Sequence, residues 1–398
     1  MSVVTPTEQH GATAHSDGGW GSPGYVPVQT RSERFASAVP TEFPAVTGLE
    51  GDWKLTPVAK LRDLIDGALD GAPRDFTDEG SSDAASIELV AMTDSRVGSA
   101  GLPEDRAAAN AWSSTEKALA ITAEGAEPLV VGIDRSSFDA APRAAHTVIT
   151  AKKQSSSHVV IRSSGPANLV ENVEIVVEDG ARLTVVSLQE WDDDAHHLAS
   201  HFATVGKNAY LKHIVVSLGG AIVRVNPSVH LAGEGAEAEL YGLYFADAGQ
   251  HIEQRVYLHH QGSNTKGRVN YKGALQGKSA HTVWVGDVLI GPDADGTDSY
   301  EQNRNLVLSE GTRAESIPNL EIQTGDIVGA GHASATGRFD DEQLFYLQSR
   351  GISEEQARRL VVIGFLAEIV QKIADPALEA HLTSVIDAEL AATSGVSA

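Results

Sequence analysis

Three small turns recur along this chain at intervals of roughly 26 to 29 residues. They are Glu178-Asp179-Gly180-Ala181, Val205-Gly206-Lys207-Asn208 and Gly233-Glu234-Gly235-Ala236, and a fourth, Ser309-Glu310-Gly311-Thr312, follows later. Around them run short segments rich in Val, Ile, Leu and Tyr, including residues 182–188, 211–218, 221–225 and 238–245. Residues 256–259, 268–275, 282–290 and 305–308 continue the series. Short β-branched and aromatic runs bounded by turn residues predict strands. A spacing of this kind admits two architectures. In a β-solenoid each coil buries one face against its neighbours. In a β-sandwich two sheets face each other. Strand pattern alone leaves both open.

The strand texture runs from about Leu129 to Val328, and helical patterns flank it. Residues 1–30 are rich in Gly, Pro, Ser, Thr and His and predict a disordered tail that carries His10 and His15. Residues 31–128 predict a helical region. There Thr56 can cap a helix with Pro57 at its first position, and Val58, Leu61, Ile65 and Ala68 follow at helical spacing up to Gly71. Trp53 is expected to pack over its start. An Ala-rich stretch from Glu104 to Leu119, with Trp112, predicts a second helix. The strand region is assigned to 129–338.

Residues 339–398 predict a compact helical domain. Asp340 and Gln343 form one capping box and Gly351 ends that helix; Ser353 and Gln356 form another. Ala357, Leu360, Val361, Gly364, Phe365 and Ile369 predict the buried stripe of the second helix. Asp375-Pro376 opens a third, with Leu378, Leu382, Val385 and Ile386.

Charge and composition exclude several functions. A net charge of −24 repels phosphate backbones, so no nucleic-acid partner is expected. The absence of cysteine excludes disulfides, thiolate catalysis and a self-sufficient Cys-ligated metal site, and it fits a cytoplasmic protein. No apolar run of about eighteen residues occurs, so no membrane span is predicted. Residues 1–21 lack the basic and apolar regions of a secretory signal.

Local motifs carry little chemistry by themselves. Gly273-Ala274-Leu275-Gln276-Gly277-Lys278-Ser279 imitates a phosphate loop but has three residues between its glycines instead of four, and a strand follows it. His197 and His201, beside His196, have the spacing of a helical zinc pair. The glutamate of zinc peptidases is missing, which predicts surface or turn histidines. Asp293, Asp295 and Asp298 lack calcium-loop spacing and predict a solvated loop. His251, His259 and His260 lie around one strand, where residues 259 and 260 must face opposite ways. The small-residue segment Gly325–Gly337 predicts a flexible connection. Its His332 is a candidate metal ligand.

Longer patterns add to this. Asn319-Leu320-Glu321-Ile322, the segment Gly325–Gly337 and Asp341 to Ile352 together resemble the C-terminal signature of the SufB/SufD family. Gly296-Thr297-Asp298-Ser299-Tyr300 with Asn303-Arg304-Asn305-Leu306, Tyr271-Lys272-Gly273, and Trp53 with Thr56 match further elements of that family. The resemblance spans about residues 30 to 375. It implies a right-handed parallel β-helix flanked by N- and C-terminal helical regions. It further implies a non-enzymatic scaffold of the SUF iron–sulfur cluster assembly complex. Such a chain pairs with a SufB-like subunit through the β-helix and docks a SufC-like ATPase on the C-terminal helical domain. The complex builds and transfers clusters. ATP binding would draw two ATPases together and open the seam between the β-helices. Ala330 stands where the family signature often carries Cys, and the missing thiols point to the SufD-like branch. The resemblance places His332 at a cluster-ligand position on that seam. No cofactor is expected on the isolated chain, only a transient iron–sulfur cluster shared with the SufB-like partner. An unpaired sheet edge would also let the isolated chain form a homodimer. Alternatives are a β-helix polysaccharide-active enzyme and a stand-alone His-based metal-binding protein.

Overall fold

The computed structural model describes residues 34–79, 85–125, 129–136, 138–338 and 341–394. The expected tail at 1–30 lies outside the described residues, as do the expected cap at Asp340 and the side chain of Gln343.

Eighteen strands are described. The first are β1 (Thr77–Glu79), β2 (Ala85–Ala91), β3 (Lys117–Ala123), β4 (Leu129–Arg135), β5 (Pro142–Ala151) and β6 (Ser156–Gly165). Next come β7 (Asn168–Val177), β8 (Arg182–Trp191), β9 (His196–Val205), β10 (Tyr210–Gly219), β11 (Ile222–Leu231) and β12 (Glu237–Ala246). The last are β13 (His251–His260), β14 (Lys266–Leu275), β15 (His281–Ile290), β16 (Thr297–Val307), β17 (Arg313–Ile322) and β18 (Ile327–Arg338). Even-numbered strands from β4 to β18 form one sheet and odd-numbered strands from β3 to β17 the other. From β3 to β16 each strand pairs in parallel with the strand two further on. A sandwich of hairpins would pair antiparallel, so the chain is a parallel β-solenoid. Its even and odd strands make eight stacked coils. Two short antiparallel strands cap the first coils, β1 on β4 and β2 on β3. The sheets thus begin upstream of Leu129, inside the stretch where helices were expected.

The repeat is set by register. Ser156 pairs with Arg182, 26 residues on, and Lys266 with Asp298, 32 residues on. One corner of six successive coils carries a residue with positive φ: Gln154, Gly180, Asn208, Gly235, Asn264 and Gly296. Amide-bearing residues and glycines alternate here. The missing side chain of Gly235 makes room for the amide of Asn208, and that of Gly296 for Asn264. The Gly180 N–H donates to the Lys207 carbonyl and the Gly235 N–H to the Ser263 carbonyl, each 2.9 Å away on the next coil. The first three turns read from the sequence are members of this ladder, whereas the fourth, residues 309–312, lies on another corner, between β16 and β17.

Parallel sheets are stable when both faces are covered. Inward residues such as Ile133, Ile149, Leu183, Val215, Leu240, Tyr271 and Trp284 fill the lumen. The outer face of the even sheet presents Val186, Leu188, Ile214, Val216, Tyr241, Leu243 and Phe245. Helices α4 (Glu354–Val370) and α5 (Pro376–Ser394) cover that face with Leu366, Ile369, Leu378 and Leu382. The outer face of the odd sheet buries Val170, Leu198 and Ile222 against Val46, Trp53, Leu61, Leu64 and Ile65.

The N-terminal helices are shorter than expected. Residues 58–65 form a single 3-10 turn and the four-residue α1 (Arg62–Ile65). Thr56 caps neither, because its hydroxyl donates to buried Glu253 on β13 at 2.7 Å. The Ala-rich helix α2 (Arg106–Ser114) starts at the Asp105 cap and stops before Lys117, where pairing with β2 claims the chain for β3. At the other end α3 (Asp341–Ser349) ends at Gly351, which has φ +85°. The Ser353–Gln356 box opens α4 as expected. The buried stripe of α4 is rotated from the expected one: Ala357, Val362, Leu366 and Ile369 are inside, while Leu360 is exposed.

Candidate functional site

The segment Gly325–Gly337 is not a flexible connection. Most of it is β18, held along its length by β16. Its small residues hid the strand, since propensity is weak there and pairing supplies the order. Register places Glu301 opposite His332 and Asn303 opposite Ser334. Alternation turns Glu301 and His332 toward the lumen.

This pair lies at the open end of the solenoid. Strands β17 and β18 are last in their sheets, so each leaves one edge without a strand partner among the described residues. Lumen residues Ala314, Leu320, Ile327 and Ala330 are only partly buried there, and Val328 is 77% exposed. His332 sits at the mouth with its side chain 43% exposed, while the Glu301 side chain is 1% exposed. Their Nδ1 and Oε1 atoms are 3.7 Å apart. Glu301 reaches across to β15, where a Cβ on Gly286 would strike its carboxylate and the Trp284 ring. Among the described residues no group of three or more His, Cys, Asp or Glu could hold a metal ion. The open end therefore offers a nitrogen and an oxygen donor, and further donors must come from elsewhere. Glu301 was missed in the sequence. Its signal was one acidic residue at an inward position of an alternating strand.

The other histidines are mostly structural. His197 and His201 lie on strand β9, not on a helix, turn or surface loop, and both are buried. Four-residue spacing puts two residues on one face in a strand as well as in a helix. The Trp191 indole N–H donates to His197 Nδ1 at 3.2 Å, so His197 Nε2 is the nitrogen that carries the proton toward Glu171 Oε1, 2.9 Å away. Arg135 meets both Glu171 oxygens at 2.7 and 3.1 Å. Burial opposes the Glu171 charge, yet Arg135 and His197 hold its carboxyl well below the usual carboxylate range. His201 Nδ1 and His213 Nε2 are 2.9 Å apart. His260 bonds Thr265 and Ser299 inside the lumen, while His259 stacks with His230 and Tyr257 outside. His251 bridges His281 and Glu253 on the outer face of β13, and His196 points outward on β9. Asp298 pairs with Arg268, and Asp295 accepts from Thr324. Gly273–Ser279 joins strand β14 to strand β15, so no helix follows it.

The lumen histidines predict an acid response. Burial pushes His201 down to about 4, His260 down to about 3, and His213 well below its ordinary value. Folding therefore favours their neutral forms. Below the unfolded value near 6.5 the unfolded chain takes up protons that the folded chain refuses. This stability is complete above pH 6.5 and is lost as pH falls toward 4, at about 1.4 kcal/mol per pH unit for each histidine. Urea midpoints should fall steeply between pH 7 and 5, and less steeply for a His201→Gln/His213→Gln variant.

A second place joins solenoid to helices. In Tyr271-Lys272-Gly273, Tyr271 and Gly273 face the lumen and Lys272 faces out. The Lys272 ammonium donates to Glu368 Oε2 on α4 at 2.6 Å and to the Phe365 carbonyl at 2.9 Å. Beyond this joint Phe345 and Tyr346 on α3 and Leu360 on α4 stand 72%, 56% and 55% exposed.

The family model of the SUF system FeS cluster assembly SufBD core domain matches residues 135–365. The chain belongs to the SufBD family. An iron-sulfur cluster assembly SufBD family protein of Mycobacterium leprae is 48% identical over 369 residues, covering 90% of this chain and 94% of the relative. A SufBD family protein of Mycobacterium tuberculosis is 47% identical over 375 residues, covering 92% and 94%. The iron-sulfur cluster assembly protein SufB of Bacillus subtilis is 27% identical over 232 residues, covering 57% of this chain and 50% of SufB. SufBD membership places the chain in iron–sulfur cluster assembly. The core match contains Lys272 and Phe365 of the joint, the Glu301–His332 pair and the β17–β18 edges, and stops short of Glu368. No described helix is long and apolar enough to cross a membrane.

Proposed function

We propose that this chain is the SufD-like scaffold subunit of a SUF assembly complex and has no turnover of its own. The observation that carries the reading is the open solenoid end, where two strand edges have no strand partner among the described residues and His332 stands on one of them, in a chain without cysteine. Such edges are templates for further strands. A SufB-like subunit docks there and supplies thiolates, and His332 contributes one imidazole to the cluster, which is cargo. Imidazole can replace thiolate on iron when its nitrogen is unprotonated. A SufC-like ATPase docks on the apolar surface of Phe345, Tyr346 and Leu360. Its movement reaches the solenoid through the Lys272–Glu368 joint. Coupling of this kind requires that the ATPase bind two arrangements of the helices with different affinity.

Co-expression with SufB-like and SufC-like partners tests this. Wild type and His332→Ala should both co-purify with the two partners, because the edges are intact. His332→Ala should carry at least several-fold less iron and sulfide per complex. Failure of wild type to form the complex overturns the scaffold reading. Equal cluster content in the variant overturns the role of His332.

A further inference from the structure

We propose that the SufB-like partner adds its strand to β18 and not to β17, so that the seam between the two solenoids is a continuous sheet on one side only. This rests on the scaffold reading above and names the edge that the partner takes.

Hydrogen-bond direction separates the two edges. In a parallel sheet the N–H and C=O of one residue point to the same side of its strand, and the sides alternate along the chain. The Arg313 N–H donates to the Ala280 carbonyl at 2.9 Å and the Gln323 N–H to the Ile290 carbonyl at 2.8 Å. Odd-numbered residues of β17 therefore face β15, and Ala314, Ser316, Pro318, Leu320 and Ile322 face the free edge. Pro318 stands opposite Gly286, near the middle of that edge. It has no N–H to offer, and its ring fills the space where a partner carbonyl would dock. What remains is Ala314 with Ser316 on one side and Leu320 with Ile322 on the other, each too short for a ladder. A proline whose nitrogen looks outward blunts an edge against strand addition.

Strand β18 carries no such block. The Asp298 N–H donates to the Thr265 carbonyl at the start of β14, 3.0 Å away, so even-numbered residues of β16 face β14 and odd-numbered ones face β18. Glu301 has His332 as its register partner and so bonds the residues on either side of it, Gly331 and Ala333. By the same alternation Ala330, His332, Ser334 and Thr336 turn their N–H and C=O groups to the free edge, with no proline among them. Apart from His332, every residue from 329 to 337 is Gly, Ala, Ser or Thr, so a second backbone can approach along this whole length.

The occupant is a strand of the same kind. SufB of Bacillus subtilis aligns with 57% of this chain, so a SufB-like subunit brings solenoid strands of its own to the seam. A seam laced along one sheet is also a hinge: it can part on the β17 side while β18 holds.

Proline substitution at free-edge positions tests this. Ser334→Pro removes one outward N–H and no bond to β16, and Ser316→Pro does the same on β17. In co-expression with SufB-like and SufC-like partners, Ser334→Pro should retain at least tenfold less SufB-like subunit than wild type, and Ser316→Pro should retain the wild-type amount. Thermal melts of the isolated variants confirm that they fold. Should Ser334→Pro not fold, hydrogen exchange of the wild-type complex decides: residues 327–338 should exchange at least tenfold more slowly than in the isolated monomer, and residues 313–322 at an unchanged rate. Wild-type retention by folded Ser334→Pro, loss of the partner in folded Ser316→Pro, or slowed exchange across 313–322 overturns the edge assignment and leaves the scaffold reading standing. Failure of wild type itself to assemble overturns the scaffold reading and this one with it.

Discussion

Gly273→Val is expected to leave no soluble folded protein, and Gly242→Val a strongly destabilised one. Strands β12 and β14 are neighbours, and their register pairs Gly242 with Tyr271 and Tyr244 with Gly273. Each tyrosine lies over the glycine of the adjacent coil, and a Cβ on either glycine would occupy the ring's position. Both rings are buried in the lumen. The Tyr244 hydroxyl also donates to Asn305 Oδ1 at 2.7 Å and accepts from Asn303 at 2.8 Å. Overpacking alone costs about 1–3 kcal/mol. In Gly273→Val a displaced Tyr244 would also orphan buried amides at about 1–3 kcal/mol each. Together these approach the whole stability of an ordinary domain. Soluble yield and thermal melts followed by circular dichroism would show the loss. Gly242→Val/Tyr271→Ala should recover folded protein, because the added methyls then have a place. If Gly242→Val alone melts like wild type, this lumen packing is wrong.

Glu368→Ala should loosen the C-terminal helices without unfolding the solenoid. The Lys272 ammonium is buried, and hydrogen bonds from Lys272 hold the Glu368 carboxyl below its ordinary value. Removing the carboxylate leaves a buried cation with one carbonyl partner. Glu368 is half-exposed, so solvent screens the pair and its loss costs less than the roughly 3–5 kcal/mol of a fully buried one, while replacing both partners is milder still. Hydrogen exchange across α4 should therefore accelerate by about tenfold in Glu368→Ala. Lys272→Met/Glu368→Ala should restore most of the protection. In the assembled complex, Glu368→Ala should lower cluster content while ATP hydrolysis continues. Unchanged exchange in the single variant would show that the joint does not hold the helices.

Much of the molecule was legible in the residues. The turn ladder announced its period, and the Ser353 box, the Gly351 stop and the Asp375-Pro376 start each depend on neighbours within four positions. The family signature led to His332. Other readings failed for reasons of context. Thr56 looked like a cap but serves Glu253, nearly two hundred residues away. His197 and His201 looked solvent-facing because nothing nearby in sequence announces Glu171 or His213 as partners.

Short-range chemistry, where a backbone N–H meets a side chain a few residues away, is written in the order of residues. Turns, caps and strand alternation are of that kind. Long-range register is different. A strand that alternates two apolar faces has no label for inside and outside, and only stacking of the coils, the helices on one sheet and the N-terminal segment on the other assign them. That stacking alone brought Glu301 to His332, 31 residues apart in sequence and adjacent across one strand pair.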